Sequence, residues 1–112
     1  MDHRQVADDL REPARALRQL IPDVMQASRA LGNAAMREGA ITTKDKELIA
    51  LAIAIVKECD GCIVAHARGA LRRGATRDEV AEMIGVTIMM DGGPATVWGP
   101  RALEAYDQLA EG

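Results

Sequence analysis

Residues 47–66 read ELIALAIAIVKECDGCIVAH, and the fold follows from how this stretch divides. Leu48 to Val56 is apolar throughout, shows no strand-like alternation, and is too short to cross a bilayer. Thr42 and Thr43 offer a hydroxyl cap for a helix from Lys44 to about Lys57. Because its centre is apolar all round, this helix is expected to be the most buried element of the subunit or of its assembly. A second helix starts at the Cys-x-x-Cys, with Asp60 in its first turn and Arg72 and Arg73 in its last, both signs matching the macrodipole, and Gly74 ends it.

Cys59, Cys62 and His66 carry the chemistry, and the two cysteines are the only ones in the chain. At about 100° per residue the three fall within an arc of about 60° on one helix face. Two sulfurs that can bridge, with a base that can ionise one of them, make a redox arrangement. Unpaired N–H groups and the positive dipole end of the first turn favour a thiolate there; Asp60 opposes it from another face.

Glu47 joins this cluster through the third dimension. An antiparallel hairpin turning near Glu58 sets residue 47 level with about residue 69, within roughly one turn of His66, and leaves it roughly 15 Å along the axis from Cys59. The relay expected is therefore Glu47 to His66 to Cys62, with Cys59 as the resolving thiol. Taken singly, each residue has a plainer explanation. Glu47 can be a solvated helix-start charge, His66 a packed or surface residue, and the cysteines small core hydrophobes. Gly69, in mid-helix at a cost of about 1 kcal/mol relative to Ala, speaks for close helix contact rather than chemistry. Met83, Met89 and Met90 read as core.

The rival chemistry is a four-ligand zinc site using Glu47, Cys59, Cys62 and His66. Against it, the three near ligands lie on one helix, and no second Cys-x-x-Cys or His-x-x-x-His is present. No metal ligand and no cofactor is assigned.

Outward from this centre the pattern stays helical. Val6, Leu10, Ala14, Leu17 and Leu20 are spaced for a helix over residues 3–20, interrupted at Pro13, which is placed to open a second short helix. Pro22 begins a helix to about Arg37, ended by Gly39. Thr76-Arg77-Asp78-Glu79 is a capping box ahead of the stripe Val80, Met83, Ile84, Thr87 and Ile88. Gly92-Gly93-Pro94 breaks that helix and starts another, with a kink expected at Gly99-Pro100, ending near Leu109. The fold class is all-α, about six to seven helices in one domain over residues 1–112.

The totals agree. The 112 residues are 48% hydrophobic and 28% charged, without Phe, so the core is aliphatic and alanine-rich, suited to helix packing. A single small core gains from self-association, so more than one copy is expected. A net charge of -3 with scattered arginines gives no footprint for nucleic acid. With no apolar signal core and no membrane span, a cytoplasmic protein is expected. In that compartment a Cys pair this close is reactive or metal-bound rather than a permanent staple.

The run from Glu47 across eleven residues to Cys59-x-x-Cys62-x-x-x-His66 resembles the carboxymuconolactone decarboxylase superfamily, in the branch of the alkyl hydroperoxidase AhpD. The likeness extends through GALRRGAT at 69–76, Glu79-Val80-Ala81-Glu82, Gly92-Gly93-Pro94 and Pro100 to Ala105, a motif region of about 43–109. It implies an all-helical subunit in trimers or hexamers. It further implies that Cys62 attacks a hydroperoxide and becomes a sulfenic acid, that Cys59 condenses with it to a disulfide, and that His66 and Glu47 relay protons. The partners implied are a peroxide or disulfide substrate and an unidentified dithiol or lipoyl-type reductant, with no nucleic acid and no membrane. The chain departs from the best characterised members at Gly61, where they carry His. The superfamily's naming decarboxylase lacks the redox pair, so a lyase stays an alternative beside zinc binding and an inert helical module.

Overall fold

The computed structural model describes all 112 residues, in six helices: α1 (His3–Leu20), α2 (Pro22–Ala35), α3 (Thr43–Val56), α4 (Asp60–Arg72), α5 (Arg77–Asp91) and α6 (Gly93–Ala110). No strand is present, as the all-α reading expects.

α3 and α4 form the antiparallel hairpin at the centre. Their turn uses Glu58 with φ 54°, closed by Glu58 N–H to the Ile55 carbonyl at 3.0 Å and Cys59 N–H to the Ala54 carbonyl at 3.1 Å. Leu51, Ala54 and Ile55 from α3 meet Ile63, Ala67 and Ala70 from α4 in the core, all buried. α6 brings small residues to the same core, with Ala95, Ala102 and Ala105 fully buried, so its backbone approaches α4 closely. α5 packs between α3 and α6, where Gly99 lies against Ile84 so closely that a Cβ there would sit 2.7 Å from Ile84 Cγ2.

Caps and ties follow local chemistry. The Thr42 hydroxyl accepts from Asp45 N–H, and Thr76 with Glu79 completes the capping box expected at the start of α5. Lys46 Nζ donates to the Ala35 and Arg37 carbonyls at 3.0 and 2.6 Å, satisfying the end of α2 and fixing it to α3. The buried Tyr106 hydroxyl donates to the Ala75 carbonyl at 2.7 Å, joining α6 to the α4–α5 loop. The Lys44 hydrogen bond holds the Glu79 carboxyl below its ordinary value, and the Arg77 guanidinium does the same for Asp107. At the chain start His3, only 1% exposed, has Nε2 2.8 Å from Glu104 Oε1, while its Nδ1 is buried without a partner.

Two expectations are corrected. α1 is one helix through Pro13, not two: the residues around Pro13, including Asp9, whose carbonyl loses its helical donor, are exposed, so water can serve that oxygen. α6 also continues through Pro100 and ends at Ala110, next to the expected Leu109. Met89 and Met90 are 73% and 78% exposed rather than core, because their stripe on α5 faces outward beyond the last packed helix. α3 is also only half covered within the chain: Ile49, Ile53 and Val56 stay about half exposed. Apart from the Lys46 tie, α2 packs only against α1, and it buries no residue.

Candidate functional site

Cys59 is the N-cap of α4 rather than a helical residue, with φ −103° and ψ 99°. Its Sγ accepts from Cys62 N–H at 3.3 Å, in the place a Ser or Asp oxygen usually takes. The two cysteines are joined as a disulfide, with Cα atoms 5.2 Å apart. Cys59 thus precedes the helix by one residue rather than lying in its first turn, and the i to i+3 step from cap to first turn brings the two sulfurs to one site as expected. Cys62 is exposed, whereas Cys59 is half-buried.

The hairpin register places Glu47 where the level-with-69 estimate put it. Its carboxylate crosses from α3 to α4 and lies over Gly69, where a Cβ would overlap it. Glu47 Oε2 is 2.9 Å from His66 Nδ1. An ionised carboxylate only accepts, so the Nδ1–H donates and Nε2 is left as the basic ring atom. The Glu47 side chain is 14% exposed and that of His66 34%, so the pair is shielded on the carboxylate side and open on the imidazole side. Both residues belong to the same chain.

Cys62 and His66 open onto one shallow depression of ≈ 210 Å³, otherwise lined by Ala50, Ile53, Ala54 and Lys57. Lys57 adds the one basic side chain of that lining other than His66. Sequence reasoning missed Lys57, since a lysine ending an apolar helix looks like an ordinary C-terminal charge. It also missed Leu10 of α1, whose Cδ1 would stand 2.8 Å from a Cβ at residue 61. α1 thus packs onto the first turn of α4, in space a side chain at Gly61 would claim.

No group of three or more His, Cys, Asp or Glu side chains is arranged to hold a metal ion. The sulfurs are bonded to each other, and Glu47 meets Nδ1 of His66 rather than converging with it on a shared point. No helix is long and apolar enough to cross a membrane.

A six-helix fold carrying a Glu–His pair beside a Cys-x-x-Cys at a helix start defines a class of small all-helical proteins, and residues 22–105 match the carboxymuconolactone decarboxylase family. The chain belongs to that family. It is similar to the crystal structure of an apo carboxymuconolactone decarboxylase family protein from Legionella pneumophila, with a TM-score of 0.93, 34% identity and 96% of each chain covered. Among curated relatives, an uncharacterised protein of Cupriavidus necator is 40% identical over 94 residues, covering 84% of this chain and 83% of its own. An uncharacterised protein from the cox locus of Paracoccus denitrificans is 38% identical over 80 residues, covering 71% of this chain and 72% of its own.

Proposed function

We propose that this protein is a thiol-dependent peroxidase or disulfide oxidoreductase of the AhpD-like branch, acting as a single domain over residues 1–112 with its motif region at 43–109. The observation that carries the reading is that the exposed Cys62, already bonded to Cys59, shares one depression with a His66 whose Nδ1 is held by Glu47.

In the reduced protein the Nε2 of His66 takes the Cys62 proton, with the helix start favouring the thiolate. The thiolate attacks the terminal oxygen of a hydroperoxide; the O–O bond breaks, sulfur is oxidised to a sulfenic acid, and the departing alkoxide takes a proton from the imidazolium. The Cys59 thiol then attacks the Cys62 sulfur, forming the S–S bond and releasing water. The disulfide state seen here is the end point of that half-cycle. An external dithiol, including a lipoyl-type one, returns the two electrons by thiol–disulfide exchange, entering at the exposed Cys62. With a small disulfide as oxidant the same two sulfurs act in the same order.

A four-ligand zinc site is disfavoured because the Glu47 carboxylate is engaged by His66 Nδ1 and both sulfurs are bonded to each other. A lyase reaction on a lactone has no use for the bonded sulfur pair whose Cys62 lines the depression. The apolar residues left uncovered on α3 and α5 support a homo-oligomer, a trimer or hexamer by family likeness, and the chemistry suits a cytoplasmic protein.

The test is turnover of hydrogen peroxide and cumene hydroperoxide with a dithiol reductant. Cys62→Ser is expected to abolish it, and Cys59→Ser to stop at a single sulfenic acid that a dimedone probe captures. Full turnover in Cys62→Ser protein would overturn the role assignment.

A further inference from the structure

Glycine is disfavoured inside a helix, and Gly69 lies in the interior of α4 with no positive φ to require it. The helical glycines Gly32 and Gly85 face open space, where an added Cβ would meet nothing within 4 Å. At Gly69 the three nearest atoms to an added Cβ all belong to the Glu47 carboxyl group. His66 and Gly69 stand three residues apart on one face of α4, so a carboxylate reaching over from α3 settles on the bare backbone of one and bonds the ring of the other.

We infer that Gly69 is a positioning residue for the proton relay: its missing side chain is the recess that seats the Glu47 carboxylate against His66 Nδ1. The inference deepens the thiol-redox reading and depends on it only for the consequence at Cys62. The recess itself is a property of the α3–α4 hairpin. A methyl at 69 displaces the free end of a flexible side chain, not backbone, so the fold survives while the carboxylate loses its seat. With Glu47 withdrawn, nothing holds the proton on Nδ1, and the ring loses the orientation that leaves Nε2 basic.

The experiment compares wild type, Gly69→Ala, Gly85→Ala and the pair Glu47→Ala and Glu47→Ala/Gly69→Ala, all fully reduced. The ¹⁵N spectra of the ring nitrogens report the tautomer, and the chain's other histidine, His3, serves as an internal reference because its Nε2 faces Glu104. Iodoacetamide alkylation of Cys62 at neutral pH reports thiolate reactivity without any peroxide. Wild type and Gly85→Ala are expected to hold neutral His66 as Nδ1–H. Gly69→Ala is expected to move it toward the Nε2–H form of an unrestrained histidine and to slow alkylation by roughly tenfold. In the Glu47→Ala background, adding Gly69→Ala is expected to leave Tm unchanged or raise it, since the obstruction is gone. Retention of Nδ1–H and of wild-type alkylation in Gly69→Ala overturns the inference. So does an equal loss of Tm, or failure to fold, both with and without Glu47. If these expectations are met while peroxide turnover is absent, the role of Gly69 stands and the peroxidase reading falls.

Discussion

At the scale of single residues, the site is an asymmetry between two cysteines and between two ring nitrogens. Cys62 is exposed and Cys59 half-buried, so Cys62 is the more accessible of the two sulfurs. His66 has Nδ1 occupied by Glu47, which leaves Nε2 as the ring nitrogen free for the proposed relay. Glu47→Gln keeps the size of the side chain and removes its anion. Peroxide reduction is expected to fall by about tenfold to a hundredfold with the fold intact, measured as the second-order rate of Cys62 oxidation; an unchanged rate would remove Glu47 from the relay. The Glu47–His66 pairing was legible in the sequence, because an antiparallel hairpin with a fixed rise per residue leaves one register once its turn is located at Glu58. The purpose of Gly69 was not legible. A helix glycine signals close approach, but only coordinates reveal that the approaching group is the Glu47 carboxylate.

At the scale of elements, caps and cross-helix ties hold the hairpin in its frame. Glu79, Glu104 and Asp107 all have carboxyl groups held below their ordinary values, chiefly by hydrogen bonds from Lys44, His3 and Arg77 respectively. A carboxyl with a depressed folded value contributes stability above its unfolded value of about 4 and loses it as pH falls through the folded value. Stability is therefore expected to be flat near neutrality and to decline below about pH 4. Since these groups are solvent-exposed the decline is shallow. Arg77→Ala should lower Tm at pH 7, with the gap to wild type closing in acid as Asp107 protonates. A gap of constant size from pH 7 to 3 would show that the tie contributes through packing alone. Element boundaries read well where a cap is written in side chains, as at Thr76 and Glu79. Pro13 misled because a proline signals a lost hydrogen bond, while continuation of the helix depends on whether solvent can serve the freed carbonyl.

At the scale of the whole molecule, the chain is incompletely covered. Only 18 of 112 residues are buried, and the radius of gyration is 14.3 Å against about 13 Å for a compact chain of this length. The excess is structural: α2 packs only on α1 apart from the Lys46 tie at its end, and an apolar groove lined by Ile53, Val56, Val86 and Met90 runs open between α3 and α5. Periodicity identified these faces as apolar but carries no information about what covers them, which is why Met89 and Met90 read as core. Val86→Glu, 60% exposed in the single chain, should leave the subunit folded and shift sedimentation toward monomer. An unshifted oligomer would place the interface elsewhere.

In the proposed function Cys59 and Cys62 form a redox couple served by His66 and Glu47. Its most direct test is the intact mass and free-thiol count of fully reduced protein, before and after one equivalent of hydrogen peroxide or cumene hydroperoxide at neutral pH. Rapid loss of both thiols with a mass decrease of two hydrogens (~2 Da), the arithmetic of one disulfide, is the predicted result. Two thiols that persist unreacted in the folded protein would contradict it.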